Sequence, residues 1–140
     1  MLPELMLLGF AAWTLVLLLT TVGVYRLSRV FRGRAGMSEF PADRAEGEDW
    51  YLRSMRAHAN CVENLPVYGA VVVAMMASGG SSPTLDALAI PLLPARIAQS
   101  LIHVVPAPSN RVAALRFAMF AIQLGLMIAM GLVIALRAAG

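Results

Sequence analysis

The chain has 140 residues, of which 59% are hydrophobic and 14% are charged. Soluble domains carry about 25% charged and about 45–50% apolar residues, so the composition excludes an ordinary soluble domain and indicates apolar surface in contact with lipid. The length predicts a single domain over residues 1–140. The net charge of +3 does not indicate nucleic-acid binding, because the basic residues lie mostly at the ends of apolar segments.

Four segments have the roughly 20 predominantly apolar residues that a membrane-spanning helix needs. We expect these helices at about Glu4 to Val30, Asp49 to Ala77, Thr84 to Val105 and Asn110 to Arg137. The short turns before the last two contain proline together with serine or asparagine, which cap helix N-termini well. The predicted fold is therefore all-α, an integral membrane four-helix bundle that crosses the bilayer several times.

The arginines predict the orientation, because basic residues accumulate in cytoplasmic loops. Those around the first connection are Arg26, Arg29, Arg32, Arg34, Arg44, Arg53 and Arg56. Arg111 follows the third connection, and the second connection has no basic residue. We therefore expect the first and third connections in the cytoplasm and both termini on the other side. All 11 basic residues are arginine, which is typical of GC-rich bacteria and indicates a bacterial inner membrane.

Ionisable side chains within a membrane helix are costly and often functional, and the second helix has the densest set. Arg53, Arg56, Asn60 and Glu63 are spaced at i, i+3, i+7 and i+10. At 3.6 residues per turn this spacing places them on one helix face. His58 lies well off that face.

The third and fourth helices add polar groups on the same side of the membrane. Arg96, Gln99 and His103 are spaced at i, i+3 and i+7 in the third helix. Arg111 opens the fourth helix, and Arg116 lies deeper in it. These side chains converge if the helices pack side by side, within one subunit or across subunits.

This set of side chains matches a small zwitterion with more than one carboxylate. Arginine offers forked donors to carboxylates, Glu63 offers a partner for an ammonium group, and Asn60 both donates and accepts. The bilayer would supply an apolar co-substrate. The alternative is that Arg and Glu on neighbouring helices pair with one another to permit insertion.

Neither histidine belongs to a metal-ligand constellation, so no metal is expected. The chain has a single cysteine, Cys61, which excludes an internal disulfide.

The second-helix segment from Arg53 to Pro66 reads R-x-x-R-A-H-x-N-x-x-E-x-x-P. It resembles the signature of the membrane-associated proteins in eicosanoid and glutathione metabolism. Ala95-Arg96-Ile97 in the third helix, and Pro106-x-Pro108-x-Asn110-Arg111 before the fourth, resemble the same family. These last two pieces are most similar to its microsomal glutathione transferase branch.

The resemblance implies a homotrimer of four-helix subunits that holds glutathione between subunits near the cytoplasmic face. It implies that Arg111 lies near the sulfur and acts catalytically by stabilising the thiolate. The glutathione contacts that it implies are Arg26, Arg53, Arg56, His58, Asn60, Glu63, Gln99 and His103. The predicted function is conjugation of the co-substrate glutathione to lipophilic small molecules that are electrophiles, with peroxidase activity as a variant, without metal or nucleic acid, and in contact with membrane lipids.

Some positions depart from the eicosanoid-forming members, which carry tyrosines where this chain has His103 and Leu115. Ala59 also replaces an arginine of prostaglandin-forming relatives. The transferase branch lacks that arginine as well. The departures at His103 and Leu115 favour, as an alternative, a non-catalytic member that binds a lipid or another ligand. A small multidrug exporter is a third reading. Such exporters resemble one another in carrying a membrane-embedded Glu in the first helix, whereas this chain has only Glu4 at the very end of that helix.

Overall fold

The computed structural model describes residues 1–40 and 46–139, and these residues form an all-α bundle without a strand. Its spanning helices are α1 (Leu2–Phe31), α2 (Asp49–Ala77), α3 (Pro83–Val104) and α4 (Asn110–Ala139). Each is long and apolar enough to cross a membrane, which confirms the predicted fold class. Arg44, one of the arginines behind the predicted orientation, lies outside the described residues.

The backbone of α1 changes from an α-helix to a π-helix and back again along its length. An α-helical stretch, Leu2–Leu17, passes into a π-helical stretch, Leu18–Gly23, before the α-helix resumes over Val24–Phe31. The hydroxyl groups of Thr20 and Thr21 donate to carbonyls four residues earlier. Such side-chain bonds compete with the helix ladder and bend membrane helices. The sequence pattern predicted a uniform helix and did not reveal this change.

Proline affects α3 and α2 differently. Between its two parts, Pro83–Ala89 and Leu92–Val104, α3 is interrupted. Pro91 stands at the interruption, where its missing N–H cannot continue the ladder. In contrast, α2 continues through Pro66 over its full length, as membrane helices do when neighbouring groups satisfy the freed carbonyl.

The helices run up and down, so the connections alternate between the two ends of the bundle. At one end, Arg53 Nε donates to the Val104 carbonyl at 3.2 Å and joins the start of α2 to the end of α3. At the other end, the Tyr68 hydroxyl donates to the Pro3 carbonyl at 2.9 Å, and Arg137 Nη1 donates to the Gly80 carbonyl at 3.4 Å. The first and third connections therefore share one end, which we call the arginine-rich end.

All the spanning helices contribute to the core. Its most completely buried large side chains include Tyr68, Met75, Leu85 and Met130. The Leu93 side chain of α3 packs directly against α1 at Gly9, where an added Cβ would lie 2.6 Å from Leu93 Cδ2. Small residues at such crossings allow membrane helices to pack closely.

An aromatic cluster closes the first connection onto the bundle at the arginine-rich end. The rings of Tyr25 and Tyr51 stack with centroids 4.0 Å apart, and Trp50 meets Tyr25 edge-on at 5.4 Å. Gly47 has φ +150°, and a Cβ there would lie 2.7 Å from the Tyr25 hydroxyl. Only glycine fits this approach without displacing the cluster. The Glu48 amide also donates to that hydroxyl at 3.4 Å.

We expect the arginine-rich end to face the cytoplasm, because arginines mark the cytoplasmic side of short-loop membrane proteins. Single cysteines at two exposed positions, Ser38→Cys in the first connection and Thr84→Cys at the start of α3, test this in a Cys61→Ser background. In intact bacterial cells, a membrane-impermeant maleimide should label the Thr84 variant and spare the Ser38 variant. Labelling at Ser38 alone would reverse the topology.

Candidate functional site

A pocket of about 270 Å³ lies at the arginine-rich end, between α2, α3 and α4. Its described lining consists of Leu52, Arg53, Arg56, Asn60, His103 and Arg116. Five of these six side chains are polar, although every helix that supplies them is long and apolar enough to span a membrane. Polar groups concentrated in this way within a membrane protein mark a site for a polar ligand.

The helical spacing of α2 explains how this lining forms. Arg53, Arg56 and Asn60 follow one another along a single face of α2. That face turns toward the end of α3, where His103 Nε2 lies 3.5 Å from Asn60 Nδ2. The structure therefore brings together four of the side chains that the sequence identified as glutathione contacts.

Arg116 completes the pocket and was not identified as a site residue from the sequence. Its Nη1 lies 3.3 Å from His103 Nδ1, so the pair links α4 to α3. One feature of the sequence could have identified Arg116: it is the only charged residue between Val112 and Leu136. A single intramembrane charge of this kind is a functional candidate in its own right.

The described pocket lining carries three guanidinium groups and no carboxylate. Arg56 is exposed, and Arg53 and Arg116 are half-buried. Within residues 1–40 and 46–139, none of the three forms an ion pair. Like charges placed around one pocket repel one another. An anionic ligand would offset that repulsion and bind strongly through charge-assisted hydrogen bonds.

Arg26 lies outside this pocket in the chain. Its Nε donates to the Tyr51 hydroxyl at 2.8 Å, its Nη2 lies 3.6 Å from Met55 Sδ, and its guanidinium lies 5.5 Å from the centroid of the Phe40 ring. Arg26 therefore belongs to the aromatic cluster that closes the first connection.

Glu63 and His58 also lie outside the pocket lining. Glu63 is exposed on α2 just beyond Asn60, and among the described residues it has no hydrogen-bonding or ionic partner. His58 is half-buried on another face of the same helix. Within a single chain, neither side chain lies with the predicted glutathione contacts that line the pocket, which are Arg53, Arg56, Asn60 and His103.

Gln99 is buried in the bundle, with 3% of its surface exposed. Its Oε1 accepts from Gln123 Nε2 at 3.1 Å, and its Nε2 donates to the Arg116 carbonyl at 3.4 Å. These bonds join α3 to α4 behind the pocket. The spacing of Gln99 and His103 along α3 predicted that both side chains face one ligand. In the structure, the Gln99 amide instead forms its hydrogen bonds with α4 inside the bundle.

Arg111, the predicted catalytic cation, is exposed at the start of α4 and does not line the pocket. Arg116 comes five positions after it, which corresponds to about 140° around a helix. The two arginines therefore project in different directions. In one chain, Arg116 is the arginine of α4 that faces the pocket.

Arg96 lies in the core, beside the pocket wall. Only 1% of its surface is exposed, its Nη1 donates to the Asn60 carbonyl at 3.4 Å, and its guanidinium lies 4.8 Å from the Phe10 ring centroid. Its Nε and Nη2 have no hydrogen-bond partner among the described residues. The cation–π contact with Phe10 partly offsets the burial of this charge.

The pair of Gln99 and Gln123 can be tested as a structural contact. Gln123→Leu should lower the free energy of unfolding by about 1–3 kcal/mol, since Gln99 then loses its buried partner. The double variant Gln99→Leu/Gln123→Leu should recover part of this loss, because no polar atom of the pair remains unsatisfied. Thermal unfolding in mild detergent measures both. Strictly additive losses would show that the two amides do not interact.

Comparison with known proteins agrees with this architecture. No curated protein and no solved structure gave a significant match to the chain. A family model described as "MAPEG family" matches residues 5–136, which is nearly the whole chain. The matched region contains every described residue of the pocket lining. The chain therefore belongs to the MAPEG family of integral membrane proteins, which includes glutathione transferases and other proteins of eicosanoid and glutathione metabolism.

Proposed function

We propose that this protein is a membrane-bound transferase that joins glutathione to lipophilic electrophiles. The observation that carries the proposal is the pocket at the arginine-rich end, whose described lining has three arginines and no carboxylate. Glutathione brings two carboxylates and an ionisable thiol, so it complements this lining in charge. Membership of the MAPEG family supports the same ligand class.

The pocket offers separate places for the two ends of the tripeptide. Arg53 and Arg56 lie nearest the start of α2, at the arginine-rich end that we expect to face the cytoplasm, and their forked donors match carboxylates. Asn60 lies seven residues beyond Arg53, about 10 Å deeper along the helix. The thiol fits the deeper end, which is closer to a substrate dissolved in the bilayer.

The chemistry that we propose is nucleophilic attack by the glutathione thiolate. Its sulfur forms a bond to the electrophilic carbon, and the leaving group departs with its bonding electron pair. The thiol proton passes to water at the mouth of the pocket. Cationic surroundings favour the thiolate over the thiol. A peroxidase variant uses two glutathione molecules, which are oxidised to the disulfide while a lipid hydroperoxide is reduced to an alcohol and water.

We further propose that the protein is a trimer with its site shared between subunits and facing the cytoplasm of a bacterium. Glu63 lies near the middle of α2, exposed and unpaired among the described residues. A carboxylate at this depth cannot face lipid without a cost of a few kcal/mol. A subunit boundary would cover it, and polar groups commonly hold membrane helices together. Arg26, His58 and Arg111 would then approach the ligand of a neighbouring subunit.

A second candidate is a MAPEG member that binds a ligand without turnover. Two observations favour it: Arg111 lies outside the pocket, and Leu115 is 51% exposed on the surface of α4. In this candidate the arginines still hold an anionic ligand, but nothing activates a sulfur. Binding and turnover measured on the same preparation separate the two candidates.

Arg56→Ala should weaken glutathione binding by about 1.5–3 kcal/mol, the worth of a hydrogen bond to a charged group, which is roughly a tenfold to hundredfold loss of affinity. Arg34→Ala is the matched control, because Arg34 is an exposed arginine at the same end and does not line the pocket. Isothermal titration with glutathione in detergent micelles measures both variants. Equal affinity in the two would exclude this pocket as the binding site.

Turnover with a lipophilic aryl halide, followed by formation of the thioether, then distinguishes the two candidates. A transferase should show turnover that saturates with glutathione and falls in the Arg56→Ala variant. Binding with no turnover toward halides, activated alkenes or hydroperoxides would favour the non-catalytic candidate.

Native mass spectrometry in mild detergent tests the shared site. We expect a closed trimer, because burial of Glu63 and its neighbours requires a second subunit against α2. Glu63→Leu should leave the chain folded and alter glutathione affinity. A stable monomer that binds glutathione with the affinity of the parent preparation would contradict a site shared between subunits.

A further inference from the structure

The pocket lining contains a hydrogen-bonded pair, His103 and Arg116, that no sequence pattern assigned. His103, next to the last residue of α3, and Arg116, six residues into α4, meet with Nη1 of the arginine 3.3 Å from Nδ1 of the histidine. Both side chains line the pocket. The identity of the arginine constrains the protonation of the histidine ring.

A guanidinium group only donates hydrogen bonds and keeps its proton at any ordinary pH. The Nδ1 atom of His103 must therefore accept the bond from Arg116. A neutral imidazole that accepts at Nδ1 carries its single proton on Nε2. The contact with α4 thus selects one of the two tautomers of His103 and makes Nε2 a donor.

The second donor in the pocket comes from Asn60. Its Nδ2 donates to the Arg56 carbonyl at 3.3 Å, which orients the amide so that Nδ2 also lies 3.5 Å from His103 Nε2. Two N–H donors cannot bond to each other. The N–H of His103 Nε2 and one N–H of Asn60 Nδ2 therefore remain free to donate to a third group. An acceptor atom placed in the pocket can accept hydrogen bonds from both of them.

We propose that His103 and Asn60 bind the sulfur anion of the substrate through these two N–H donors, and that Arg116 is the positioning residue that holds His103 in the required tautomer. This inference rests on the proposed function. The sulfur, rather than a carboxylate, takes this place because Asn60 lies seven residues beyond Arg53 along α2, about 10 Å further into the bundle. Arg53 and Arg56 remain for the carboxylates nearer the start of α2.

This arrangement gives His103 the role of a neutral donor to a developing or formed anion. Donors that are aimed in advance at a charged atom stabilise it without reorganisation at the moment of reaction. Arg116 adds its positive charge through the ring without contacting the sulfur. Within one chain, His103 and Arg116 line the pocket, whereas Arg111, to which the resemblance gave the thiolate, is not among its described lining residues.

The tautomer is measured directly by NMR of the full-length protein labelled with ¹⁵N-histidine. The spectrum has only two histidines to assign, His58 and His103, and His103→Gln identifies the second. We expect an unprotonated Nδ1 and a protonated Nε2 for His103 at neutral pH without any ligand. In Arg116→Leu the signals should move to the average of the two tautomers, whereas Arg56→Leu, which removes another pocket arginine, should leave them unchanged.

The sulfur assignment is tested with bound glutathione through the ultraviolet absorbance of the thiolate. His103→Leu should reduce the thiolate signal and turnover by about tenfold to a hundredfold, the usual loss for one hydrogen bond to a charged atom. His103→Gln should retain most of both, since its amide nitrogen can replace the Nε2 donor. Glutathione affinity should change less than turnover in both variants.

The outcomes separate this inference from the function on which it rests. A protonated Nδ1 in the unsubstituted protein, or no response to Arg116→Leu, would refute the pairing whatever the ligand. Equal thiolate signals in the His103→Leu and unsubstituted proteins would refute the sulfur assignment alone. No binding of glutathione to the unsubstituted protein would refute the proposed function and the sulfur assignment together, while the NMR result would still decide the tautomer.

Discussion

Arginine side chains in a membrane protein must find water, polar partners or an anion, because an unpaired guanidinium in hydrocarbon is costly. This constraint explains where several arginines of the spanning helices lie. Arg53, Arg56 and Arg116 gather at one end of the bundle around a pocket whose described lining has no carboxylate. Arg96 meets the same constraint inside the core through the Asn60 carbonyl and the face of Phe10. The positive charge of the described pocket lining has no carboxylate beside it, and we propose that a small anion binds there.

The backbone features of the bundle support this arrangement. The interruption of α3 at Pro91 gives the helix a second part, Leu92–Val104, which carries His103 toward the arginine-rich end. Two buried amides, Gln99 and Gln123, then join that part to α4 and place the Arg116 carbonyl next to α3. The position of the His103–Arg116 pair therefore depends on polar contacts deeper in the bundle. Such contacts fix helix register where hydrophobic packing against lipid gives little preference.

The sequence predicted the spanning helices well because apolar runs of this length have few alternatives in a cell. It also predicted that Arg53, Arg56 and Asn60 share a face, since that is local helical geometry. It did not identify Arg116, whose role depends on how α4 rotates against α3. The same rotation takes Arg111 away from the pocket, and neither orientation can be read from spacing along one helix.

In the proposed complex, the pocket between α2, α3 and α4 holds glutathione with its carboxylates at Arg53 and Arg56 and its sulfur at His103 and Asn60. A density map of the detergent-solubilised protein with glutathione bound would show this arrangement. We expect tripeptide density in this pocket, with the sulfur within hydrogen-bonding distance of His103 Nε2. Density for the tripeptide elsewhere, or in this pocket with the sulfur at Arg53 and Arg56, would refute the proposed complex.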